Sequence, residues 1–224
     1  MAEMAIGYGS EFQLLRYLGH HRKYLNEQIL KVLKVKDEIE WFDYPVNPER
    51  DSMDGEFKGI ECFKDMKNYI DIKTEWKNYW PQTGNSQNWD GIFKIGNKFF
   101  FVEAKAHVDE SHQKCGAGEK SKEIIKKAFA ETCGNVDVAA EWLSSNCYQL
   151  ANRLAFLNFC NKFGIKAELV YICFYNGYRV NPKKDLSPKD KKWEVTMENN
   201  FETLKLTEKL KEKIHVVYID CLEG

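Results

Sequence analysis

The dipeptide Gly96-Asn97 restricts this chain more than any other feature, because an extended run lies on each side of it, Trp89 to Ile95 before and Lys98 to His107 after. A two-residue loop of this composition closes a primed turn and fixes the pairing of two antiparallel strands. Ile95 then faces Lys98, and each pair further out keeps residue numbers summing to 193, which sets Asp90 opposite Glu103. The second run, Phe99-Phe100-Phe101-Val102-Glu103-Ala104-Lys105-Ala106, is too apolar for a surface strand and belongs inside a sheet.

Charges inside such a strand need a reason. Opposed side chains on paired strands have Cβ atoms about 4.5–5.5 Å apart, and like charges there repel. A period of two puts Lys105 on the same face as Glu103. Two carboxylates and an ammonium thus converge on one patch, and a hard divalent cation held by carboxylate oxygens is the simplest group to neutralise the excess. An ammonium beside a metal-bound water can orient it and stabilise charge growing on a phosphoryl group.

Around the hairpin, hydrophobic periodicity sketches the remaining elements. Ser10-Glu11-Phe12-Gln13 has the form of a capping box, and Leu15, Leu18, Leu25, Ile29 and Leu33 continue at helical spacing, predicting one helix over about 11–34. Residues 41–88 are dense in rings without a clean period, and predict short strands and loops; Lys73 and Lys77 among them offer a base-stacking surface as the alternative to aromatic packing. Helices are predicted over about 121–132, 144–163 and 202–213, strands over 167–175 and 214–220, and lysine-rich loops over 108–122 and 181–192. Strands before, between and after helices predict an α/β sandwich around a mixed sheet.

At 224 residues, with 43% hydrophobic and 30% charged residues, the chain reads as one folded domain over 1–224. A net charge of -1 gives no global pull towards nucleic acid or anionic membrane, so any such partner must be held by a local patch. Seven cysteines without a Cys-x-x-Cys pair argue against a disulfide framework or zinc knuckle and for a reducing cytoplasm. The charges at Glu3, Glu11, Arg16, Arg22 and Lys23 interrupt any apolar leader, and neither export nor a membrane anchor is expected.

Trp89-Asp90 on one strand and Glu103-Ala104-Lys105 on the next resemble the signature of the PD-(D/E)xK phosphodiesterase superfamily, the fold of many restriction and repair nucleases. The resemblance covers roughly residues 10–175 and implies a restriction endonuclease-like sandwich, a mixed β-sheet flanked by α-helices. It implies Mg²⁺, with Mn²⁺ as substitute, held by Asp90, Glu103 and the backbone carbonyl of Ala104, while Lys105 serves the attacking water. It further suggests Glu11 on the preceding helix and Gln149 on the following one as supporting residues. The implied activity is hydrolysis of phosphodiester bonds in nucleic acid, DNA first, without a membrane partner and with room for a homodimer. Trp89 stands where the family name has proline.

The triplet by itself is common, since an acid two residues before a lysine occurs six times here. Only Glu103 to Lys105 ends an apolar strand with an acid across a hairpin. The competing reading of the trio is a structural salt bridge near a sheet edge. For Glu11 it is an acid favoured by the helix dipole, and for Gln149, with Arg153 four residues on, a solvated polar face. A catalytically silent binding module of the same fold, or a metal-dependent hydrolase of another substrate, would share these residues. The five histidines show no zinc spacing, and His107 is a strand end or a phosphate contact. Lys114, Lys120, Lys122, Lys126 and Lys127, and then Lys183, Lys184, Lys189, Lys191 and Lys192, are two stretches that could hold backbone phosphates, with a solvated loop as the competing reading of each.

Overall fold

The computed structural model describes residues 9–44, 56–82, 87–176 and 192–223. In chain order these form α1 (Ser10–His20), α2 (Arg22–Leu33), β1 (Glu40–Trp41), β2 (Phe57–Lys58), α3 (Tyr69–Tyr79), β3 (Asn88–Trp89), β4 (Gly91–Ile95), β5 (Lys98–Lys105), α4 (Glu119–Cys133), α5 (Val136–Ser144), α6 (Tyr148–Lys162), β6 (Ala167–Tyr175), α7 (Lys192–Thr203), α8 (Glu208–Lys211) and β7 (Ile214–Asp220). Five strands make one sheet in the order β1-β4-β5-β6-β7. The hairpin and β1 pair antiparallel, whereas β6 and β7 join in parallel, so the sheet is mixed.

Both faces of the sheet are covered, which the apolar strands require. Alternation along β5 sends Phe100, Val102 and Ala104 to one side, where they pack with Leu14, Tyr17 and Leu18 of α1 and with Leu25 and Ile29 of α2. Phe99 and Phe101 go to the other side, against Phe63, Trp76, Phe129, Trp142 and the α6 residues Leu154 and Phe156. Glu103 and Lys105 have the parity of Phe99 and Phe101, so they point into the α6 side. The chain is therefore an α/β sandwich, with helices on both faces of a mixed sheet.

The predicted single helix over 11–34 is instead two, broken at His21. The Arg22 side chain explains the break: its Nε donates to the Leu18 carbonyl at 2.8 Å, the acceptor that its own backbone N–H would use in a continuous helix. The capping box is also overturned. Gly9, at φ 99°, holds the N-cap without any side-chain cap bond, Ser10 is already helical, and the Gln13 N–H goes to the Gly9 carbonyl at 3.1 Å.

Residues 41–88 contain α3, whose buried Ile72, Trp76 and Tyr79 recur at helical spacing. The rings there are core: Phe63, Trp76 and Trp80 are 0–5% exposed, which is the packing reading rather than the stacking one. Asn135 caps α5, not anticipated from the sequence, by accepting the N–H groups of Asp137 and Val138. Of the helix predicted over 202–213 the structure has the last two residues of α7 and the short α8, with Lys205 between them at a left-handed φ of 49°; the rest of α7 was not anticipated. The two later strands have the predicted bounds. Of the predicted loop over 181–192, all but Lys192 lies outside the described residues. No described helix is long and apolar enough to cross a membrane.

Candidate active site

The hairpin register follows the turn arithmetic from Ile95↔Lys98 to Gly91↔Val102 and stops one pair short of Asp90 and Glu103. Asp90 donates its N–H to the Val102 carbonyl at 3.1 Å although Gly91 is the partner of Val102. Two residues therefore face one, the count of a β-bulge, and the predicted cross-strand pair is replaced by something else. The Asp90 carboxylate turns to the backbone, where Oδ2 accepts the Ala104 N–H at 2.7 Å. Tyr44 secures the same residue by donating its hydroxyl to the Asp90 carbonyl at 2.5 Å.

In an antiparallel ladder a residue directs its N–H and its carbonyl to the same neighbour. Ala104, two residues beyond the Val102 pair, thus turns its carbonyl to the side on which Asp90 has taken its N–H. Beyond Gly91 no β4 residue remains to use that carbonyl, and Gly91 itself has little room, since a Cβ there would lie 3.2 Å from the Trp41 ring.

Glu103 is 2% exposed and fully engaged. Its Oε1 accepts Lys105 Nζ at 2.5 Å and Gln149 Nε2 at 2.8 Å. Its Oε2 accepts Arg153 Nε at 2.9 Å. The structure thus brings Asp90, Glu103, Ala104, Lys105 and Gln149 together, and adds Arg153. Arg153 was legible only as part of a polar stripe on α6; it turns out 5% exposed, with Lys105 at 7%.

Glu11 stands apart. It is half-buried in the first turn of α1, where burial and then the charge of Glu56 lift its carboxyl above the ordinary range. No contact among the described residues joins it to Asp90, Glu103 or Lys105. Its link is indirect: Glu56 accepts a bond from the Asn88 side chain, next to Trp89 and Asp90. The buried side of α1 is Gln13, Leu14, Tyr17 and Leu18, so Glu11 lies at its edge rather than in line with it. His107 opens a short 3-10 turn, Val108–Ser111, whose Glu110 carboxylate accepts the Ala106 N–H at 3.2 Å and closes the end of β5.

The electrostatics divide the two acids. Burial first, then the neighbouring Glu103 charge, push the Asp90 carboxyl up to about 7 against the pull of Lys105, the Ala104 N–H and Arg153. Burial would raise Glu103 as well, but Arg153 and Lys105 beside it hold it below the ordinary carboxylate range. Burial would lower the Lys105 ammonium, yet Glu103 and Asp90 keep it above its usual value, firmly charged.

The excess carboxylate charge expected from the sequence is met by a second cation, Arg153. With Asp90 ionised the cluster sums to zero, so no ion is needed for charge alone. Two carboxylates and a carbonyl nevertheless form a hard oxygen set suited to Mg²⁺ or Mn²⁺. To hold an ion there, Asp90, whose carboxyl burial and Glu103 push up, must give up its proton, and Glu103 must release Lys105. Among the described residues no three histidine, cysteine, aspartate or glutamate side chains form a metal-holding group.

A cavity of about 580 Å³ lies at the start of α6, lined by Trp80, Lys114, Ser121 and Tyr148 among others. Its lining holds Tyr148 but none of Asp90, Glu103, Lys105, Gln149 or Arg153. Comparison of the chain with protein-family models, curated proteins and solved structures finds no match.

Proposed function

We propose that this chain is a metal-dependent nuclease of the PD-(D/E)xK type, with the restriction endonuclease-like form of the α/β sandwich, hydrolysing phosphodiester bonds in DNA. The observation that carries the reading is the Asp90 to Ala104 bond, which delivers a carboxylate to the end of β5 beside Glu103 and Lys105. Asp90, Glu103 and the Ala104 carbonyl would hold Mg²⁺ or Mn²⁺. Bound there, the metal would act as a Lewis acid that activates a water and offsets charge developing on the phosphoryl group.

The remaining work falls to the chain. Lys105, charged and on a flexible stem, orients the attacking water and stabilises the negative charge that develops on the phosphoryl oxygens. Gln149 keeps Oε1 of Glu103 in place. Lys114, which lines the cavity at the start of α6, is a cation available to a backbone phosphate of the substrate. All seven cysteines are free thiols, which suits the reducing cytoplasm.

A silent member of the same fold is the second reading, favoured by the complete pairing of Glu103 with Lys105, Gln149 and Arg153. Incubation of the purified protein with single- and double-stranded DNA and RNA separates the two. Cleavage with Mg²⁺ or Mn²⁺ that stops in EDTA is expected; no cleavage of any substrate under any divalent ion returns the protein to the silent reading.

A further inference from the structure

The two oxygens of Glu103 are held in different ways. Oε2 accepts Arg153 Nε at 2.9 Å and lies 2.8 Å from Arg153 Nη2. The same Nη2 donates to the Asn88 carbonyl at 2.7 Å. The guanidinium carbon sits 4.6 Å above the Trp89 ring, itself wholly buried against Phe101 and Phe156. A planar fork bonded at both ends and stacked on a ring has one position. Oε1, by contrast, meets an ammonium on four rotatable carbons and a side-chain amide.

Asn88, Trp89 and Asp90 are consecutive, and the hairpin ladder has already ended at Gly91↔Val102. Through Asn88 and Trp89, Arg153 therefore ties the segment that carries Asp90 to the strand that carries Glu103, in the place where the ladder no longer does so. We propose that Arg153 is the positioning residue of this site: its guanidinium pins Oε2 of Glu103 to the Asn88 carbonyl, and leaves Oε1 to exchange Lys105 for a divalent cation. Glu103 keeps a compensating charge throughout that exchange, and Lys105 is released towards the water and the phosphoryl group. This rests on the metal-dependent nuclease reading and adds which oxygen binds, which stays fixed, and what fixes it.

Arg153→Lys retains the charge but loses the planar fork that holds Oε2 through two nitrogens and stacks on Trp89, and Arg153→Met retains neither charge nor donor. Manganese titration of the purified proteins, followed by electron paramagnetic resonance, should give a Kd about 10- to 100-fold weaker in both variants, the usual loss when a partner that orients a metal ligand is removed. A purely structural arginine would lower Tm and leave the Kd of the folded protein within about twofold of wild type, which overturns the proposal. Should both variants fail to fold, wild-type protein decides by NMR. Adding Mg²⁺ should shift the Lys105 ammonium signal and leave the Arg153 Nε–Hε signal in place and slow to exchange. Loss of the Arg153 signal overturns the proposal. Wild type that binds no Mn²⁺ or Mg²⁺ overturns the nuclease reading, and this assignment with it.

Discussion

Asp90 reaches Glu103 through the backbone between them: its Oδ2 accepts the Ala104 N–H at 2.7 Å, and Ala104 directly follows Glu103. The carboxylate takes the place of the ladder partner that a continuous β4 would have offered. Removing the whole side chain should therefore differ from removing only its charge.

Asp90→Asn keeps an oxygen for the Ala104 N–H and ends the repulsion with Glu103. Metal-free Asp90→Asn is expected to be more stable than wild type at pH 7.5. Asp90→Ala leaves that N–H without its acceptor, at a cost of about 1–3 kcal/mol, and is expected to be the less stable of the two. Urea unfolding in EDTA measures both.

Stability of the metal-free protein should fall as pH rises from 5 to 7.5. The Asp90 carboxyl, raised to about 7 by burial and by Glu103, binds its proton in the folded state over a range where the unfolded chain has lost it. The folded state is thus favoured below that range and progressively less within it. Lys105 and Arg153 also face Asp90 and stay charged throughout, and Glu103 titrates below this window. Unfolding curves at half-unit pH steps should show a steeper fall in wild type than in Asp90→Asn, which keeps only the smaller contribution of the raised Glu11 carboxyl.

Lys105→Ala should lower kcat by about 10²–10⁴-fold, the range for losing a group that acts on the reacting proton or charge. Manganese affinity should survive, because Arg153 and Gln149 still hold Glu103. Single-turnover cleavage and a parallel manganese titration check the two halves of this statement; equal losses in both would make Lys105 a structural partner only.

Far from the site, at the other end of β5, Glu168 accepts Lys98 and His215, each at 2.8 Å. Burial would raise its carboxyl, but the bonds from His215 and Lys98 bring it down to about 2. Its contribution is present above the ordinary carboxylate range and disappears as pH falls through that range towards 2. Glu168→Gln should cost about 1–3 kcal/mol at pH 7, as expected for hydrogen bonds to a charged group. The difference from wild type should vanish near pH 2, as thermal unfolding in citrate and glycine buffers would show.

The elements legible in advance were those specified by contacts near in sequence. Gly96-Asn97 determined the turn, the turn determined the register as far as Gly91, and continuous apolar runs marked β6 and β7 to the residue. Helix breaks were hidden because they depend on side chains acting on backbone, as Arg22 does on the Leu18 carbonyl. α3 was obscured by its abundance of rings, although Ile72, Trp76 and Tyr79 carry the period.

The candidate site divides along the same line. Asp90, Glu103 and Lys105 share a neighbourhood because strand alternation and a two-residue turn put them there, and these are local rules that a sequence states openly. That Asp90 bonds Ala104 instead of facing Glu103 depends on a bulge at the end of β4, held by Tyr44 from 46 residues away. That Arg153 is a buried partner of Glu103 rather than a solvated residue depends on how α6 packs over Trp89 and Phe101. A helix shows in its own sequence which residues share a stripe, but the polar stripe of α6 becomes an interior one only when the sheet beneath it presents a carboxylate to meet it. Tertiary packing made that choice, because the cost of a buried charge is decided by its neighbours in space.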